Sequence, residues 1–168
     1  MNEFSPKIGN LGKGLVAAVL AAAKYLLIPI LILTALTSLF SQIEGASTIT
    51  DQIDLERVKN FVLVLGIPIT ILAFFRGFYP KGTRSRCAFG VAIAGLVCVW
   101  IWMIMMGGNL TLEMEEVGFS ISYVGLVLLF ILAAALGGLF YVVEMLSYRR
   151  EWLRSRETPS IPPVNGAQ

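Results

Sequence analysis

Apolar residues run in four long stretches, roughly residues 14–40, 56–78, 87–109 and 121–148, and polar residues gather in the connectors between them. Each stretch reaches the roughly 20 residues that a helix needs to cross a hydrocarbon core about 30 Å thick. An open strand at that depth leaves backbone N–H and C=O groups without partners, so helices are the predicted elements. The expected fold is an all-α integral membrane protein, a four-transmembrane-helix bundle occupying residues 1–156. The final segment ETPSIPPVNGAQ (157–168) carries three prolines and no periodicity, the pattern of a disordered cytoplasmic tail.

Proline interrupts two of the spans. Pro29 divides span one into a small-residue part, GLVAAVLAAAKY, and an aliphatic part, LILTALTSLF, and Pro68 falls within GIPIT of span two. Each removes a backbone donor, and a kink is expected at both. The shared Ile-Pro-Ile of the two spans is short enough to arise by chance in apolar sequence. Paired breaks of this kind can mark a transporter site, but kinks that shape a bundle are the plainer reading.

Small residues recur at helical spacing: Ala17 with Ala21 and Ala18 with Ala22 in span one, Gly90 with Ala94 in span three, Ala133 with Gly137 and Ala134 with Gly138 in span four. In lipid, helices associate by close backbone approach rather than by a hydrophobic force. Close packing of spans one, three and four is expected from these positions. The connector before span four, GGNLTLEMEEVGFSIS, alternates apolar and polar residues from Leu110 to Met114 and again from Val117 to Ile121. That alternation fits a small hairpin lying on the membrane. The sequon at Asn109 to Thr111 lies too near the bilayer surface to be given weight.

Charge supplies the orientation. Ten of the 13 Lys and Arg residues fall on one side: Lys7, Lys13, Arg76, Lys81, Arg84, Arg86, Arg149, Arg150, Arg154 and Arg156. The other side holds Glu44, Asp51, Asp54, Glu56, Glu113, Glu115 and Glu116, offset only by Arg57 and Lys59. Short basic loops stay in the cytoplasm, so both termini are expected there, in a multi-pass protein of the cell membrane. The amino-terminal apolar segment exceeds a cleavable signal core and no small-residue cleavage pattern follows it, so span one is expected to be retained. The chain is 57% hydrophobic with a net charge of only +2, which leaves little for a soluble core.

Chemistry-bearing residues are few. Histidine is absent, and the two cysteines, Cys87 and Cys98, lie eleven residues apart on one helix. That is about 16 Å, too far for a disulfide, which needs Cα atoms within about 7 Å. The usual zinc, haem and iron–sulfur ligand sets are therefore missing, and no cofactor is expected. Met103, Met105, Met106 and Met114 near the end of span three read as adaptable packing rather than copper ligands. Glu113, Glu115 and Glu116 read as solvated.

Only Lys24 and Glu144 are ionisable inside the apolar stretches. An ion pair between them is a candidate link of spans one and four. The plainer expectation is independent snorkelling, with Glu144 meeting Arg149 or interfacial water. Thr34, Thr37, Ser38 and Ser41 form a polar stripe on one face of the outer half of span one. It suits a water path, or more simply hydroxyls bonded to their own helix or to a neighbour. Spans three and four lack polar residues at mid-depth, so one copy has no lining for a pore and no proton relay. The runs FFRGFYPKGTRSR (74–86) and YRREWLRSR (148–156) place Arg76, Lys81, Arg84, Arg86, Arg149, Arg150, Arg154 and Arg156 where anionic lipid or a cytosolic partner would meet them. Within the first run, Tyr-Pro-Lys-Gly predicts an ordered turn, with Pro80 presetting the backbone and Gly82 free to take positive φ.

These residues favour a non-catalytic structural, assembly or accessory subunit, joined by helix packing into a homo-oligomer or a larger membrane complex. The alternative is an oligomeric channel or transporter component with its path lined by span one. A lipid-modifying enzyme fits least, because carboxylates beside the basic groups are scarce. A nucleic-acid partner is not expected.

Overall fold

The computed structural model describes residues 4–5, 9–42, 55–114 and 117–157. Four helices are long and apolar enough to cross a membrane, the mark of a multi-pass membrane protein. They are α1 (Leu11–Phe40), α2 (Leu55–Phe78), α3 (Arg84–Ile104) and α4 (Val124–Glu157). Residues 43–54 and the tail from 158 to 168 lie outside the described residues, as do the acidic Glu44, Asp51 and Asp54.

The start of α1 is fixed by Asn10. Its side-chain oxygen accepts from the Lys13 N–H at 3.1 Å, satisfying one of the donors that a helix start leaves orphaned. Its own N–H donates to the Phe78 carbonyl at 2.9 Å, which ties the beginning of α1 to the end of α2. The break expected at Pro29 takes the form of a π turn one step earlier, Ala23–Leu27, closed by the Ile28 N–H on the Ala23 carbonyl. Pro29 has no N–H for the Tyr25 carbonyl, and the wider turn takes up the mismatch. Gly66 of α2 lies against this place: a Cβ there would stand 2.9 Å from the Tyr25 carbonyl oxygen. Pro68 is carried within α2, which runs unbroken from Leu55 to Phe78.

Between α2 and α3 the predicted Tyr-Pro-Lys-Gly turn is present, with Gly82 at φ 82°. Thr83, fully buried, donates to the Pro80 carbonyl at 2.8 Å and caps α3 by accepting from the Arg86 N–H at 3.3 Å.

Several boundaries differ from expectation. Span three stops at Ile104 rather than 109, because Gly107 and Gly108 adopt positive φ and turn the chain into a hairpin. The strands β1 (Asn109–Met114) and β2 (Val117–Ser122) pair antiparallel, from Asn109 opposite Ser122 to Met114 opposite Val117. Tyr123 fastens its base, the N–H donating to the Gly108 carbonyl at 2.7 Å and the hydroxyl to the Met105 carbonyl at 3.0 Å. Span four accordingly begins at Val124 rather than 121. It also continues past 148 to Glu157, so the basic run after Tyr148 rides on a helix. The fold is almost wholly helical, with this one two-stranded addition among the described residues.

Consecutive helices pack side by side, α1 on α2, α2 on α3 and α3 on α4. The central stripe of α2, Val58, Val62, Gly66, Ile69 and Ala73, repeats at three and four residues and is buried throughout. Ile69 and Ala73 meet Ala21 of α1 and Ile93 of α3, with Tyr25 and Trp100 packed against them. Most other large apolar side chains face outward. In water so much exposed apolar surface is an aggregation hazard; in lipid it meets a solvent of its own kind.

Close approaches occur at two seams. A Cβ on Gly77 would fall 2.5 Å from the Ala17 Cβ and 2.7 Å from the Lys13 carbonyl, which puts α1 hard against α2. At the other seam Gly90 faces the Tyr141 ring and Gly138 faces Ala94, joining α3 to α4. The expected packing of spans one, three and four together differs here. Spans three and four do meet through small residues, but α1 leans on α2, and a groove separates it from α4.

Candidate functional site

The groove encloses about 1110 Å³, close to the upper end of the roughly 300–1,000 Å³ usual for ligand pockets. One wall is the first half of α1, with Lys13, Ala17, Ala21 and Lys24; the facing wall is α4, with Phe130, Ala133, Ala134, Gly137 and Tyr141. Ala73 and Arg76 of α2 and Ile93, Ala94, Val97 and Trp100 of α3 make the floor. The small residues of span four thus do two jobs. Gly138 packs on Ala94, whereas a Cβ on Gly137 would meet nothing within 4 Å. Ala133, Ala134 and Gly137 make space, and Gly90, Ala94 and Gly138 close a seam.

Among the described residues three cations line the groove, Lys13, Lys24 and Arg76, and no carboxylate does. Lys13 and Arg76 lie toward the basic end of the array, and Lys24 about 16 Å further along α1 than Lys13. The Lys24 ammonium sits 5.1 Å from the centre of the Tyr25 ring, a cation–π contact. That ring meets Trp100 edge-on at 5.7 Å. The buried indole N–H of Trp100 has no hydrogen-bond partner among the described residues. Arg76 donates to the Tyr141 hydroxyl and lies over its ring at 5.4 Å, bridging α2 to α4 across the groove floor.

Glu144 is paired with Arg86, not with Lys24. Arg86 Nε donates to Oε2 at 3.2 Å and Nη2 to Oε1 at 3.3 Å, a two-point contact of fixed geometry. Lys81 lies 3.8 Å from the same carboxylate. Arg86 Nη1 also reaches the carbonyls of Arg76 at 3.3 Å and Tyr79 at 3.4 Å, at the end of α2 where helix carbonyls lack internal donors. One guanidinium so joins α2, α3 and α4. The sequence predicts Arg86 in the connector, facing anionic lipid or a cytosolic partner; α3 instead begins at Arg84, which brings Arg86 into the first turn, level with Glu144. The charge of a helix-start arginine and its nearness to a span edge were the available signals.

The other predicted residues divide by environment. Thr34 and Thr37 donate to the carbonyls of Ile30 and Leu33 at 2.8 and 2.9 Å, and Ser41 to that of Ser38 at 2.8 Å. The stripe's side chains remain exposed. Arg149 donates to the Gly82 carbonyl at 3.4 Å and lies over Trp152 at 5.1 Å, so α4 holds the connector. Lys81 lies over the Tyr148 ring at 5.1 Å. Arg84, Arg150 and Arg154 stay at the surface, and the side chain of Arg156 lies outside the described residues. The basic set is therefore split: Arg76, Arg86 and Arg149 tie elements together, while Arg84, Arg150 and Arg154 are exposed. No group of three or more metal-ligating side chains occurs among the described residues.

Comparison of the chain with protein-family models, curated proteins and solved structures returns no match.

Proposed function

We propose that this chain is a non-catalytic integral membrane protein that serves as a structural, assembly or accessory subunit. Its basic end, with both termini, faces the cytoplasm of a cell membrane; the distribution of Lys and Arg supports that orientation. The observation that carries the reading is the second half of α1. Ile28–Phe40 buries no residue against its own chain, although it is as long as the half that packs on α2. Its exposed face carries the hydroxyl stripe, and each bonded hydroxyl keeps spare acceptor capacity for a neighbouring helix. Association in lipid rests on such packing and interhelical hydrogen bonds. The partner is a second copy or a larger membrane complex. An oligomeric channel draws no support from the stripe, because Thr34, Thr37 and Ser41 already return to their own backbone.

Single cysteines placed along residues 31–41, in a background with Cys87 and Cys98 replaced, test this in native membranes. Cross-links are expected at 34, 38 and 41 and not at 32, 36 and 39, which lie on the opposite face at 100° per residue. The adduct's mass distinguishes a second copy from another protein. Cross-linking absent from every position, or equal at all of them, removes the reading.

A further inference from the structure

The geometry points to a lipid site in the groove between α1 and α4, occupied by one anionic phospholipid of the surrounding bilayer. Its phosphate sits between Lys13 and Arg76, Lys24 extends the positive charge further along the groove, and an acyl chain lies along the small-residue wall of α4.

Charge selects this occupant. Among the described residues the groove carries three cationic side chains and no carboxylate, and Glu144 of α4 is already held by Arg86 and Lys81. Arg76 spends part of its donor set on Tyr141, and a guanidinium has five. Beyond these cations the lining is apolar, and Gly137 leaves room where a larger side chain would stand. The space is open sideways, since α1 and α4 do not close on each other, so a bilayer lipid enters without crossing a protein barrier. A transmembrane helix in the same place would have to bring carboxylates to several depths of the membrane, and such residues are rare. A phospholipid supplies the anion and the apolar chain in one molecule. Basic residues near a bilayer surface draw anionic headgroups in any case; here they stand at the mouth of a cavity able to hold the tail as well.

Trp100 in the groove floor is the reporter. With Trp102 and Trp152 changed to Phe, the full-length chain is reconstituted into phosphatidylcholine vesicles. These contain a minor fraction of either phosphatidylglycerol or phosphatidylcholine brominated on the acyl chain. Trp100 fluorescence is expected to be quenched at several-fold lower mole fraction by the brominated anionic lipid, about fivefold or more. Lys13→Gln with Lys24→Gln, both at exposed positions, is expected to abolish that preference. Gly137→Leu is expected to reduce quenching by both lipids while leaving thermal stability unchanged, because its side chain occupies the groove. Equal quenching by the two lipids, a preference indifferent to the lysines, or a Trp100 shielded from both lipids by a protein helix would each overturn the proposal. None of these outcomes depends on the cross-linking pattern of residues 31–41, so this site and the association face stand or fall separately.

Discussion

Replacing Arg86 with methionine is expected to cost about 3 kcal/mol of stability, the scale set by leaving one partner of a buried ion pair alone. The Glu144 side chain is only 9% exposed and that of Arg86 21%, so water cannot readily take over the missing contact. The same change strips a donor from the carbonyls of Arg76 and Tyr79. Thermal unfolding in one mild detergent is the measurement. Arg86→Met combined with Glu144→Met is expected to recover much of the loss, since the lone carboxylate goes with its partner; the coupling energy follows from the double-mutant cycle. Lys81→Met is expected to do little, because that side chain is 57% exposed and 3.8 Å away. A loss under about 1 kcal/mol for Arg86→Met, the range of exposed pairs, would mean that this link does not hold the three helices together.

The second large effect contrasts two glycines. Gly77→Leu is expected to destabilise by about 3 kcal/mol, at the upper end for overpacking. Its first side-chain atom already collides with Ala17 and with the Lys13 carbonyl, and neither can swing aside. The first turns of α1 must then lift from α2, which strains the Asn10 bond to Phe78. Gly137→Leu, in open space, is expected to fall within about 0.5 kcal/mol of wild type. Equal losses in the two variants would contradict the open side between α1 and α4.

Much of the architecture was legible because lipid imposes a simple rule on sequence. Four apolar runs gave four helices, the proline–glycine connector gave its turn, and the alternation on either side of Glu115 and Glu116 gave the hairpin. Boundaries were harder. MMGGN reads as apolar continuation of span three, and only the φ values of Gly107 and Gly108 reveal the exit. The helical run beyond Tyr148 was hidden by its charge, which ends the apolar stretch there. The site was less legible still. Gly137 and Gly138 are neighbours with one composition, yet one faces a gap and the other faces Ala94. In membrane helices a small residue marks close approach or vacant space equally well, and spacing along one helix does not say which. Glu144 was hard for a related reason: Lys24 of span one and Arg149 of its own span were the visible candidates, whereas the partner, Arg86, stands just outside the apolar edge of span three.

The π turn in α1 has a mechanical side. Ala23–Leu27 contains one residue more than α-helical bonding would use, a single unit of slack placed beside Lys24 and the Tyr25–Trp100 contact. When such an excess residue migrates along a helix, the residues it passes swivel by about 100° while the flanks keep their phase. In α1 that motion would reorient Lys24 while residues beyond Pro29 kept their heading. A shift of that kind would change what the ammonium touches by torsion alone, with both halves of α1 left in place.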